Sequence, residues 1–132
     1  MSLSTSKTAE YCAYGAFALG LVPTLVGINA ILRPASALSL LGFSAPPQPE
    51  SQKLSRSLLR MYGGRDIALG LMTLAVWARG DRRTLGYTML ASLPIALVDG
   101  FVSRDQIGGG EWGHWVFVGI GGALAAGCLE LF

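Results

Sequence analysis

A chain of 132 residues has room for one domain. Its residues are 52% hydrophobic and 14% charged, with a mean hydropathy of +0.49. This is too little polar cover for a small soluble globule, in which about 25% of residues are charged, and it points to a membrane protein. A net charge of +2, with the basic residues flanking apolar segments, leaves no basic helix face and excludes a nucleic-acid-binding module.

At the N-terminus only Lys7 precedes the first apolar run, and that run is too long for the core of a cleavable signal, so it reads as a retained span. From Tyr11 to Leu32 there is no charged residue, which is enough length to cross a bilayer core. The span closes at Arg33–Pro34, since proline disfavours helix at the residue before it. The connector 34–56 opens with "ASALSLLGF", predicted as a short interfacial helix over Ala35–Phe43. A proline-rich turn follows. The connector is either a lid or a linker. A second span is predicted over 57–78, stopped by "RGDRR", a third over 84–102, and a fourth over 113–131 after "GGGEWG". Segments this long and unalternating satisfy their backbone in lipid as helices. The expected fold is therefore all-α: an integral membrane four-helix up-down bundle filling residues 1–132 as a single transmembrane domain.

Small residues lie where such helices touch. Span 4 contains "GIGGALAAG", and span 2 carries Gly63, Gly64 and Gly70. In lipid, close backbone approach through glycine and alanine supplies the packing. With no preceding strand and no lysine, "GIGGALAAG" is not a phosphate loop. The same stretch is compatible with a homo-oligomer or a monomer. Cys12 and Cys128 are too far apart for a CxxC redox site or zinc knuckle and read as small packing residues. If the N-terminal end is side A, Lys7, Arg79, Arg82 and Arg83 lie there and Arg33, Lys53, Arg56 and Arg104 on side B. That tie leaves the membrane orientation open.

The polar residues within the spans gather toward side B. Asn29 ends span 1. Arg60, Tyr62, Arg65 and Asp66 occupy the side B half of span 2, with Asp66 roughly 12–14 Å in from its start. Asp99 lies near the side B end of span 3, and His114 opens span 4 beside Trp112 and Trp115. Charges at membrane depth are expensive, face inward, pair, and mark function. Tyr62 and Asp66 share a helix face, and Arg65 adjoins it. The expected constellation is Asp66–Arg65–Asp99, two carboxylates sharing one guanidinium. The plain alternative is a buried ion pair joining spans 2 and 3, with Arg60 snorkelling to the interface. Two acids sharing one arginine split into an ionised and a protonated member, which suits paired acid–base chemistry on a neutral substrate. One activates water or a hydroxyl while the other protonates a leaving oxygen. Tyr62, Asn29, His114, Arg60 and Trp112 are candidate substrate contacts. His114 also fits an aromatic belt, and Asn29 a helix–helix hydrogen bond.

"GINAILRPASALSLLGF" followed by "MYGGRDIALGLMTL" resembles the small four-span membrane proteins of the DUF4267 family, common in fungi. The matching residues are Asn29 and Pro34, then Gly63, Arg65, Asp66, Leu69 and Gly70. Some relatives resemble members of fungal polyketide gene clusters described as epoxide hydrolases, which act on polyene epoxides to build cyclic ethers. The resemblance thus implies a lipophilic substrate, the endoplasmic reticulum membrane as location, and no cofactor or metal. In chemistry, the Asp–Arg–Asp set is similar to that of the limonene-type epoxide hydrolases, in which one Asp polarises water, the other protonates the epoxide oxygen, and Arg holds both. There is no GxSxG elbow and no HExxH metal site, which rules out a covalent α/β-hydrolase route. The expected activity is a membrane-embedded epoxide hydrolase or epoxide-opening cyclase. The same acids without water would serve an isomerase or terpene-type cyclase. A different class altogether is a non-catalytic bundle that binds a lipid or scaffolds a membrane enzyme. A proton-coupled transporter is disfavoured, because side A shows no polar path and no internal repeat is visible.

Overall fold

The computed structural model describes residues 7–131. They form five α-helices and, among the described residues, no strand: α1 Lys7–Leu32, α2 Pro34–Leu40, α3 Pro49–Ala78, α4 Arg82–Ile107 and α5 Glu111–Cys128. The breaks follow local chemistry. Pro34 ends α1 and opens α2 as its first residue, where the missing N–H costs nothing. Pro49 does the same for α3, with Gln48 extended before it. As a result α3 starts at Pro49 rather than at Ser57, the short helix before it ends at Leu40 rather than at Phe43, and the non-helical stretch between them is 41–48. Asp81 caps α4. Its Oδ1 accepts the Thr84 backbone N–H at 3.0 Å and its Oδ2 accepts the Thr84 hydroxyl at 2.5 Å. The Thr84 hydroxyl first, then its amide, holds the Asp81 carboxyl below the ordinary carboxylate range. α4 runs past Val102 to Ile107 and stops at Gly108, whose φ of 69° is left-handed.

The four long helices form an up-down ring in chain order, each antiparallel to its neighbours. α1 packs most extensively on α3, and α4 on α5; α5 closes on α1, and α3 touches α4 least. The α1–α3 pair meets through small residues. α1 buries Ala9, Ala13, Ala16, Gly20, Gly27 and Ala30, while α3 buries Leu59, Gly63, Asp66, Gly70 and Thr73. These steps of three and four are the pattern of helices crossing at a shallow angle. A methyl on Gly63 would stand 2.6 Å from the Gly27 carbonyl oxygen, and one on Gly27 would run into the Gly63 carbonyl. Glycine at both is what lets the two backbones touch.

The large apolar side chains point the other way. Leu25 is 64% exposed, Met61 72%, Val98 58% and Phe101 59%. A water-soluble bundle buries such residues and exposes polar ones; here the apolar bulk is outside and the small residues are inside. The expectation of four spans is met in part: α1 and α4 are long and apolar enough to cross a membrane. α3 falls short because Arg65 and Asp66 interrupt its apolar half, and α5 because its first turn carries Glu111 and His114.

At the side A end, Ala13, Ala16, Leu85, Met89, Ala125 and Cys128 form one cluster, with Cys12 packed against it. Both cysteines are free thiols. At side B, α2 folds down so that Ala37 meets Ala30 and Leu59, with Leu41 and Tyr62 alongside.

Candidate active site

The ring encloses a cavity of about 350 Å³, lined by all four long helices and by Leu41 from the turn after α2. Helical spacing places the lining. α3 contributes Tyr62, Asp66, Leu69 and Thr73, one stripe at steps of four, three and four. α4 contributes Met89, Ser92, Ala96 and Asp99, and α5 contributes His114, Phe117 and Gly121. The cavity's polar end is therefore on side B.

There the expected constellation comes together. Arg65 donates from Nη1 to Asp99 Oδ1 at 3.1 Å and from Nη2 to Asp99 Oδ2 at 2.8 Å, a two-pronged pairing. Its Nε and Nη2 also reach Asp66 Oδ1, at 3.2 and 3.1 Å. Both Asp99 oxygens are thus engaged, while Arg65 touches only one oxygen of Asp66. The guanidinium lies over the Tyr62 ring at 4.4 Å, close enough for a cation–π contact. The Tyr62 hydroxyl faces the Asp66 carboxylate. Exposure is graded: the side chain of Asp66 is 9% exposed, that of Asp99 16%, and that of Arg65 35%. The two acids line the cavity, whereas Arg65 does not line it and holds them from behind.

His114 lines the same cavity, and Tyr62 stands beside Asp66 in its wall. Asn29, Arg60 and Trp112 do not line it. Asn29 is half-buried on α1, and Arg60 is exposed. Trp112 is 72% exposed and sits edge-on to Trp115, with centroids 5.6 Å apart. Trp115 in turn packs against Phe101 and donates its indole N–H to the Leu97 carbonyl at 3.3 Å, which ties α5 to α4. Among the described residues, no three His, Cys, Asp or Glu side chains stand together as metal ligands.

The family model described as "Domain of unknown function (DUF4267)" matches residues 20–128. The chain belongs to that family. No curated protein and no solved structure matches it. In this DUF4267 chain the residues "GGRDIALG" do two jobs at once. Gly63 and Gly70 seat α3 on α1, where a methyl on Gly70 would stand 2.6 Å from the Gly20 carbonyl. Asp66, between them on the same buried stripe, reaches the cavity.

Thr73, Ser92, Phe117, Gly121 and Leu41 line the cavity without having been singled out in the sequence. A signal existed for two of them: Thr73 lies one heptad after Asp66 and Ser92 one heptad before Asp99, so each shares its aspartate's face.

Proposed function

We propose that the protein is a multi-pass integral membrane enzyme that opens an epoxide of a lipophilic substrate by paired carboxylate catalysis. The observation that carries this reading is the sharing of one guanidinium by two carboxylates that both face a single cavity. The outward apolar surface supports lipid as the surroundings, with α3 and α5 completing the span beside α1 and α4. Buried acids at that depth must pair, and Arg65 supplies the pairing on the side away from the cavity.

In this reading Asp99, with both oxygens on the guanidinium, is the carboxylate that takes a proton from water. Each of its oxygens keeps a further lone pair for that purpose. The resulting hydroxide attacks one epoxide carbon, and the carbon–oxygen bond on that carbon breaks. Asp66 gives the departing oxygen its proton from the carboxyl oxygen that Arg65 does not touch. One proton is taken and one is given, so a diol forms and exchange with water resets the pair. A hydroxyl elsewhere on the substrate in place of water yields a cyclic ether by the same transfers. Tyr62 and His114 complete the polar wall as contacts for substrate oxygens. None of these steps calls for a cofactor.

The test is turnover by the protein in lipid nanodiscs. A panel of long-chain and polyene epoxides is incubated in ¹⁸O-labelled water, and the products are read by mass spectrometry. Label should enter one diol oxygen, and Asp66→Asn and Asp99→Asn should each lower turnover by about 10²–10⁴-fold, the range of general acid–base catalysis, in protein that remains folded. If the parent opens no epoxide, or if the asparagine variants stay active, the enzymatic reading fails and a lipid-binding bundle is left.

A further inference from the structure

The cavity is long, and its free polar groups lie at one end. Its lining runs from Ala16 to Val26 on α1 and from Met89 to Asp99 on α4, in each case roughly 15 Å of helix. Of its polar side chains, Tyr62, Asp66, Asp99 and His114 lie at the side B end. The other two, Thr73 and Ser92, turn their hydroxyls back to their own helices. Thr73 Oγ1 donates to the Leu69 carbonyl at 3.0 Å, and Ser92 Oγ to the Met89 carbonyl at 2.7 Å. With those donors occupied, the side chains of the deeper half offer a ligand hydrocarbon contact: Leu19, Leu69, Met89, Leu93 and Phe117. An elongated slot with hydrogen-bonding groups at one end and apolar walls beyond fits a chain with one oxygenated end.

Gly121 faces this deeper half. A methyl group there would stand 2.9 Å from Leu93 Cδ2 and 3.7 Å from Leu19 Cδ2, both ends of flexible side chains that line the slot. A methyl is accommodated by a small shift of Leu93. A larger side chain enters the slot itself.

We propose that the cavity takes a linear amphiphile, its oxygen-bearing carbons at the Asp66–Asp99–His114 end and its hydrocarbon tail toward side A, and that Gly121 sets the length of tail admitted. The assignment of the tail's direction rests on the epoxide-opening reading of the site, which fixes where the reacting oxygen sits.

The experiment uses the full chain in phosphatidylcholine nanodiscs with two photoreactive probes, 1-dodecanol carrying a diazirine at C2 or at C12. Adducts are mapped by peptide mass spectrometry, and only labelling competed by excess plain 1-dodecanol is counted. The C12 probe should label the peptides containing Thr73 and Gly121, and the C2 probe those containing Asp99 and His114. Gly121→Leu should lower competed C12 labelling at least tenfold while leaving a hexanol-length probe unaffected, and should shift epoxide turnover from 1,2-epoxydodecane toward 1,2-epoxyhexane. Gly121→Ala should behave as the parent. Leu93→Trp fills the same space from α4 and gives the same result by a second route, should Gly121→Leu fail to assemble. Identical or reversed labelling by the two probes, or equal loss of short and long chains, overturns the proposal. Ordered labelling by a parent that opens no epoxide supports the chain-binding slot and rejects the enzymatic reading. Epoxide opening with unordered labelling does the opposite.

Discussion

Replacing Arg65 separates the two roles its guanidinium combines. It makes four charge-assisted hydrogen bonds, at 3.2 and 3.1 Å to Asp66 and at 3.1 and 2.8 Å to Asp99. Removing one partner of a buried ion pair costs about 3–5 kcal/mol because the other charge is left behind. The Arg65 side chain is 35% exposed, so its surroundings already screen part of that interaction. The expected loss for Arg65→Met is therefore nearer to about 2 kcal/mol. Asp99→Asn leaves Arg65 paired with Asp66 and should cost about 1 kcal/mol, the scale of one net hydrogen bond. Combining the two changes removes the cation and one of the stranded anions together, so the double variant should be more stable than the sum of the singles predicts, by about 1 kcal/mol. Arg65→Lys keeps the charge but not the fork, so it cannot hold Asp99 by both oxygens. Its stability should stay near the parent's, while turnover falls by about 10²-fold, the scale of a reacting group misplaced by an ångström. The assays are unfolding in mixed micelles with a denaturing detergent, read by far-ultraviolet circular dichroism, and epoxide turnover per folded molecule. A lysine variant with full turnover, or additive stabilities in the double variant, refutes the claim that one guanidinium organises both acids.

Three further outcomes follow from packing and capping. Gly63→Ala should destabilise by about 1–3 kcal/mol, because its methyl meets backbone at Gly27 and the helices must part. Gly64→Ala, with nothing within 4 Å of the added methyl, should stabilise by about 0.5–1 kcal/mol; equal effects at the two positions in detergent unfolding would refute the α1–α3 contact. The Trp77 indole N–H is buried and finds no hydrogen-bond partner among the described residues. Trp77→Phe should therefore leave the melting temperature unchanged or raise it, and a large drop would show that the N–H has a partner. At Asp81 the folded carboxyl titrates below its unfolded range, so its support for α4 is complete above the unfolded value and fades as pH falls through the folded one. Amide exchange at Arg83 and Thr84 should quicken in acid and in Asp81→Ala at neutral pH, with no change if the cap is idle.

What the sequence revealed and what it hid divide along physical lines. Helix existence was legible because uncharged runs and proline or glycine breaks are local signals: Pro34 and Gly108 end helices as their chemistry requires. The start of α3 was not. A proline read as a barrier also serves as a first helical residue, and the polar stretch after Pro49 gives no apolar cue to helix. The Asp66–Arg65–Asp99 meeting was legible because charges in apolar helices have few places to go. Asn29, Arg60 and Trp112 shared the depth of the site but not its direction. Depth follows from counting residues, whereas direction depends on which helix faces pack, and here stripes of glycine and alanine decide that. The same stripes, read as heptads from each aspartate, pick out Thr73 and Ser92.

Those stripes also explain why a cavity exists beside an ion pair. Glycine and alanine draw α1 onto α3 backbone to backbone, and on α4 Gly86 and Gly100 let Leu129, at the end of α5, and Trp115 lie close against that helix. Small residues that suit a two-helix contact leave the middle of a four-helix ring unfilled, and many of the large apolar side chains, Leu25, Met61, Val98 and Phe101 among them, point outward instead of into it. The two pairs join along one edge where α5 meets α1; the other edge, α3 against α4, is the loosest. Arg65 and Asp99 bridge that edge, one residue from each pair, at 2.8 Å. The contact that orients the two acids is therefore also one that holds the cavity's weak side shut. A change that loosens it alters both the chemistry and the width of the slot, which is why stability and turnover need to be measured on the same Arg65 variants.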